Sequence, residues 1–190
     1  GVTNTPFGTS AGGVFVYSGA VLDLNGFTLA NTTTFEALTI NGRGINDGGA
    51  LVNNSGSGTS YSGTVTQGTD SRITNSGAGL LTLSNTVTGA FALYIGGAGN
   101  ITTSVLIPAT ALSVTKQGAG TLTVTGANAY TGYTRVDAVT FAYAATTTLV
   151  ATNLIMNGGT FNSGANADTI GTVTLIGGII TNSAALTGTA

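Results

Sequence analysis

Lys116-Gln117-Gly118-Ala119-Gly120-Thr121-Leu122-Thr123-Val124-Thr125-Gly126-Ala127-Asn128-Ala129-Tyr130-Thr131-Gly132-Tyr133-Thr134-Arg135-Val136 decides how the rest of the chain reads. Leu122 and Val124 alternate with Thr121, Thr123 and Thr125, the period-2 pattern of a strand with one apolar face and one hydroxyl face. Gly118 and Gly120 before that strand, and Gly126 and Asn128 after it, are residues that tolerate the positive φ of tight corners. The unit therefore reads as turn, strand, turn, short strand, with Tyr130 and Tyr133 near the second corner. Nothing in it performs chemistry.

Outward from this stretch the theme repeats in looser form. Val14–Tyr17, Val21–Leu24, Phe35–Ile40, Leu80–Leu83, Phe91–Ile95, Val105–Ile107, Asn153–Met156 and Thr169–Ile176 are further strand candidates. Asn25-Gly26 and Asn41-Gly42 are corner signals. No segment carries apolar residues at i, i+3, i+4 and i+7 over three turns, so no helix is expected. Apolar pairs recur at Leu22/Leu24, Leu38/Ile40, Leu81/Leu83, Leu122/Val124, Leu154/Met156 and Val173/Leu175. Their separations correspond to one or two steps of roughly 16 to 22 residues, the period of a coil rather than of a hairpin sandwich. The expected fold is all-β, a parallel β-helix or β-solenoid of about eight to ten coils. Residues 1–190 form a single domain in this reading, with 1–13 a cap or a linker.

The quoted stretch closely resembles the passenger-associated repeat of bacterial autotransporters and related large surface proteins, which runs K-x-G-x-G-T-L-x-L-x-G-x-N-x-Y-x-G-x-T-x-V. Lys116, Gly118, Gly120, Thr121, Leu122, Val124, Gly126, Asn128, Tyr130, Gly132, Thr134 and Val136 occupy those places. Tyr133 stands where the family usually has a small residue, and Asp137–Phe141 replaces the usual N-x-G-T-L. A second similarity lies upstream, in Gly42–Gly56 and Tyr61–Val65. The resemblance implies a right-handed parallel β-helix in an exported protein, extracellular or on a bacterial cell surface, and carries no catalytic residue with it.

Composition narrows the function. The 190 residues are 42% hydrophobic and 5% charged, with 31 glycines that punctuate apolar pairs rather than running together. Four basic and six acidic residues give a net charge of −2, and Arg43, Arg72, Lys116 and Arg135 look scattered, so no nucleic-acid partner is expected. No Cys and no His means no disulfide, thiolate, imidazole base or Cys/His zinc site. No apolar run reaches the roughly 18 residues of a membrane span. No cofactor and no metal is expected.

Asp23, Glu36, Asp47, Asp70, Asp137 and Asp168 are the carboxylates. Asp23 with Glu36, or Asp47 with Asp70, could meet on adjacent coils as the acid pair of a glycosidase, against the reading of solvated or corner-capping acids that their turn positions favour. Gly96–Asn100 resembles a calcium-binding glycine repeat but lacks its aspartates, and reads as a corner. Tyr61, Tyr130 and Tyr133 are candidates for an exposed aromatic strip that contacts sugar, against covering a corner of the coil. Asn31, Asn53 and Asn100 begin sequons. The expectation is a non-enzymatic structural β-solenoid, a building block of a surface filament or stalk that adds to itself head to tail by strand pairing. The alternative is an adhesin that binds glycans or a neighbouring cell surface.

Overall fold

The structure, a computed structural model, describes residues 7, 12–29, 36–106, 113–126, 128, 130–137, 139–144, 153–164, 168–181 and 186–188. The sequon at Asn31, the strand positions Phe35 and Ile107, and most of the 1–13 segment lie outside them. Every strand pairing among the described residues is parallel and joins residues one coil apart. The chain is a parallel β-solenoid of about seven turns, somewhat fewer than the eight to ten expected. At ~4.8 Å per step, seven steps make a rod about 34 Å long.

Three faces run along it. The first stacks Val14, Leu38, Val65, Val87 and Leu106 in register. The second stacks Leu22, Leu51, Ile73, Ile95, Lys116, Val136, Met156 and Leu175. The third stacks Thr59, Leu81, Ile101, Leu122, Phe141 and Phe161, with Ile180 at the end. Several strands bend around a corner from one face to the next, among them Val65–Asn75, Leu81–Thr88, Ile101–Leu106, Leu154–Asn162 and Val173–Thr181. A separate parallel pair joins Asp168–Ile170 to Leu186–Gly188.

The column on the second face measures the coil. Its members are 29, 22, 22, 21, 20, 20 and 19 residues apart. The apolar pairs picked from sequence sit on different faces, which is why their spacing scatters more widely. The long first step contains a loop, Arg43–Gly49, built around a three-residue 3-10 turn, Ile45–Asp47, in which Asn46 and Asp47 take positive φ. That turn is the one helical element among the described residues, too short to show in a periodicity search.

Side chains on the inward columns fill the core. Leu38, Leu51, Ile73, Leu81, Leu93, Leu122 and Phe141 are fully buried. Toward the C-terminal coils the third face thickens into an aromatic cluster: Phe141 and Phe161 meet edge to face at 5.8 Å, and Tyr143 lies 5.1 Å from Phe141. Edge-to-face contact suits the ring quadrupole and fills width that aliphatic side chains leave open.

The G-x-G corners have two physical origins. Gly118 has a φ of 72°, as the sequence suggests, but Gly120 does not have positive φ. Gly120 is needed because a Cβ there would lie 1.9 Å from the carbonyl oxygen of Gly99 in the coil below. Stacked corners bring backbone onto backbone, and only glycine leaves room.

Candidate functional site

Buried polar groups pin the coils at their corners. Asn53 and Asn75 are fully buried one above the other, and Asn53 Nδ2 donates to Asn75 Oδ1 at 3.1 Å. Asn75 Nδ2 donates in turn to the carbonyls of Gly79 and Asn100, each at 2.7 Å, while Asn53 Oδ1 accepts from Gly26 N–H at 3.0 Å. The amides thus supply hydrogen bonds to backbone groups at the corners. The sequon at Asn53 is consequently closed to modification in the folded rod, whereas Asn100 is exposed.

Lys116 occupies an inward position, in register between Ile95 and Val136, and is 2% exposed. Its Nζ donates to the carbonyls of Gln117 at 2.5 Å and Gly118 at 3.4 Å, so the ammonium is spent on the corner it precedes. Burial first, and the Arg72 charge second, push it down to about 8. The arrangement is that of a backbone cap.

The outer surface of the second face holds most of the charge. Arg72, Tyr94, Thr115 and Arg135 form one outward column. The Arg43–Gly49 loop leans onto it: Arg43 pairs with Asp47, and its guanidinium lies 3.9 Å from the centre of the Tyr94 ring. Arg72 Nη1 bridges Asp47 at 3.1 Å and Gln117 Oε1 at 3.0 Å, spanning 45 residues of sequence. Gly96 lies beneath the guanidinium, where a Cβ would come within 2.9 Å of it. Gln117 Nε2 then donates to Asp137 Oδ2 at 3.0 Å, and Asp137 also accepts from Arg135 and Asn157. Burial works to raise the Asp137 carboxyl, but Gln117, Arg135 and Asn157 together hold it below the usual value.

These contacts correct the view of scattered cations. Arg43, Arg72 and Arg135 converge with Asp47 and Asp137 on one strip across successive coils. The signal was available in the 20-to-22-residue step, which places residues 72, 94, 115 and 135 in one column once the coil length is known. Each arginine has a carboxylate partner, Asp47 serving both Arg43 and Arg72, so these five groups keep one net positive charge.

The tyrosines need a correction too. Tyr61 and Tyr130 are 2% and 1% exposed, so Tyr61, Tyr130 and Tyr133 do not form an exposed strip. Tyr61 donates to the Glu36 carbonyl at 2.6 Å, and Tyr130 bonds Thr134 at 2.5 Å and Tyr143 at 3.2 Å. Burial pushes both phenols up to about 12, aided at Tyr61 by Glu36 and opposed at Tyr130 by its two hydroxyl partners. They cover corners of the coil. Tyr133 alone of the three is exposed, at 38%.

Three of the four carboxylates of the candidate acid pairs are engaged by other groups. Asp23 caps the second-face corner, accepting from Asn25 N–H at 2.9 Å and Asn54 Nδ2 at 2.9 Å, while Glu36 precedes the first-face strand Leu38–Gly42. Asp47 is held by Arg43 and Arg72, and Asp70 accepts from Ala92 N–H at 3.0 Å. Among the described residues no three acidic groups gather in a way that could hold a metal ion. A shallow open depression lined by Thr28, Ser60, Leu80 and Thr82 contains no charged side chain.

Residues 114–138 match the family model of the passenger-associated-transport-repeat. In the fold this stretch covers one coil of 20 residues and the strand that opens the next, since Val114 pairs with Thr134 and Lys116 with Val136. No curated protein and no solved structure matches the chain. No helix among the described residues is long and apolar enough to cross a membrane.

Proposed function

We propose that the chain is a structural rod segment of an exported surface protein, acting by length and by strand pairing at its ends, with no catalytic, cofactor or metal chemistry. The passenger-repeat match supports the exported setting. One observation carries the mechanical reading. Every strand pairing among the described residues is parallel and joins one coil to the next, so backbone ladders run along the described rod over a continuous apolar core. Stacked rungs of this kind suit extension into a filament or stalk.

Association of this kind is driven by backbone pairing and apolar burial, so it is insensitive to salt. Analytical ultracentrifugation and electron microscopy at 50 mM and 500 mM salt test it: multimers that persist at both support the reading, and a monomer at every concentration removes it. A second reading, a glycan-binding flank, is favoured by exposed Tyr133 beside Arg135 on the outer face of the second sheet. A glycan array with Tyr133→Ala separates the two, because only the adhesin loses signal.

A further inference from the structure

The strand Tyr133–Val136 sends Thr134 and Val136 into the core, both fully buried, and leaves Tyr133 and Arg135 on its outer side. The two outward residues stand one side-chain step apart, about 6.6 Å along the strand. Neither closes the core, so the coil itself has no use for a ring and a guanidinium at these places.

The three arginines of this face are not equally occupied. Arg43 spends Nε and Nη2 on Asp47 and lies over the Tyr94 ring. Arg72 gives Nε to Thr74 and Nη1 to Asp47 and Gln117. Arg135 gives only Nε, to Asp137, and no group among the described residues takes its Nη1 or Nη2. Its side chain is 43% exposed. A guanidinium held through Nε is already oriented, and its two Nη groups present a planar fork that matches the paired oxygens of a carboxylate. Tyr133 is the open aromatic ring beside that fork, since Tyr130 is buried and Arg43 covers Tyr94. One coil on from Tyr133, exposed Asn153 accepts from Thr172 N–H through Oδ1 at 3.2 Å and keeps Nδ2 as a donor.

Charge decides what the fork receives. Arg43, Arg72 and Arg135 with Asp47 and Asp137 sum to +1, and Lys116, buried next to Thr115 in the neighbouring coil, brings the sum to +2 in a chain of net −2. The other acids of this face are remote: Asp70 is three coils from Tyr133, and Asp23 is five from Asp137. A positive patch on an acidic chain draws an anion. An aromatic face with an amide and hydroxyls around it suits a sugar ring, apolar on one side and polar at its rim. We propose that Tyr133 and Arg135 bind a polysaccharide built of uronic acids, the sugar ring lying on Tyr133 and its carboxylate bridging the two Nη atoms of Arg135. This rests on the glycan-binding reading of the flank and gives it a ligand class.

The test is isothermal titration of the chain with polygalacturonate and with the same polymer methyl-esterified, which keeps the sugar and removes the charge. Binding is expected to the acid form alone and to fall with added salt. Arg135→Gln weakens it about 30-fold, Arg135→Lys about 10-fold for want of the fork, and Tyr133→Ala about 5-fold. The circular dichroism melting curve is unchanged in all three, because Gln117 and Asn157 still hold Asp137. Equal binding of both polymers that Tyr133→Ala abolishes overturns the uronate class but leaves a glycan-binding flank standing. Equal affinity for polyglutamate or dextran sulfate overturns the sugar-specific site in favour of charge alone. A chain that binds neither these polymers nor any sugar on a glycan array overturns both readings.

Discussion

Replacing Lys116 by methionine keeps the stem in the inward column and removes the buried charge, and its effect is read best as a change in pH dependence. In the folded rod the ammonium is pushed from 10.5 down to about 8. Between those two values the unfolded chain binds the proton more tightly than the folded one, so stability rises with pH across that window and is level below it. At about 1.4 kcal/mol per unit, the folded state carries an electrostatic cost of at most about 3 kcal/mol at pH 7, less whatever relaxation of nearby water relieves. The opposite sign applies to Tyr61 and Tyr130, whose phenols are pushed up to about 12, so stability falls above pH 10. The wild-type chain is therefore expected to be most stable near pH 10, with a urea midpoint about 1 M above that at pH 7.5. Lys116→Met is expected to be level from pH 7.5 to 10 and to share the fall above it. At pH 7.5 itself the variant gains by losing the charge but leaves the carbonyls of Gln117 and Gly118 without their donor, so the two proteins differ there by no more than about 2 kcal/mol. Urea unfolding followed by circular dichroism at several pH values measures all of this. Parallel pH curves for the two proteins between pH 8 and 10 would refute the placement of a charged lysine in the core.

Gly120→Ala forces a methyl into the Gly99 carbonyl, and a loss of at least about 3 kcal/mol is expected in the same unfolding assay. Asn75→Ala strips a partner from Asn53 and from the Gly79 and Asn100 carbonyls; the expected cost is about 3 kcal/mol, checked by thermal unfolding, with local hydrogen exchange rising at the corner. Asp137→Asn weakens the strip by about 1 kcal/mol at neutral pH. Because the Asp137 carboxyl is held below 3.8, its contribution is present above that value and is lost as pH falls through the lower folded value, so the gap between wild type and variant closes in acid.

Much of the fold was legible in single strands and corners. Leu122 and Val124 alternate with threonine, and both are fully buried on an inward face. Asn25-Gly26 is a corner with both residues at positive φ. Such features depend on a few neighbouring residues, and a strand's two faces and a turn's allowed angles are decided by local sterics. The spacing of the apolar pairs also bracketed the coil length: six of the seven second-face steps, 19 to 22 residues, lie within the 16 to 22 read from them.

What meets what across coils was decided elsewhere. Residues 72 and 117 approach only when two successive rungs are counted correctly around three corners, and a shift of one residue sends a side chain to the other side of the sheet. The scatter of apolar pairs over different faces hid that count, and with it the strip of Arg43, Arg72 and Arg135. Tyr61 and Tyr130 carry no local mark of burial, since a tyrosine near a corner can cover it or face water. The neighbouring coil, by supplying the Glu36 carbonyl to one and the Tyr143 hydroxyl to the other, chose the first. Sequence alone determined the strand, the corner and the repeat; the stacked register, a sum over every rung beneath, determined which side chains share a column.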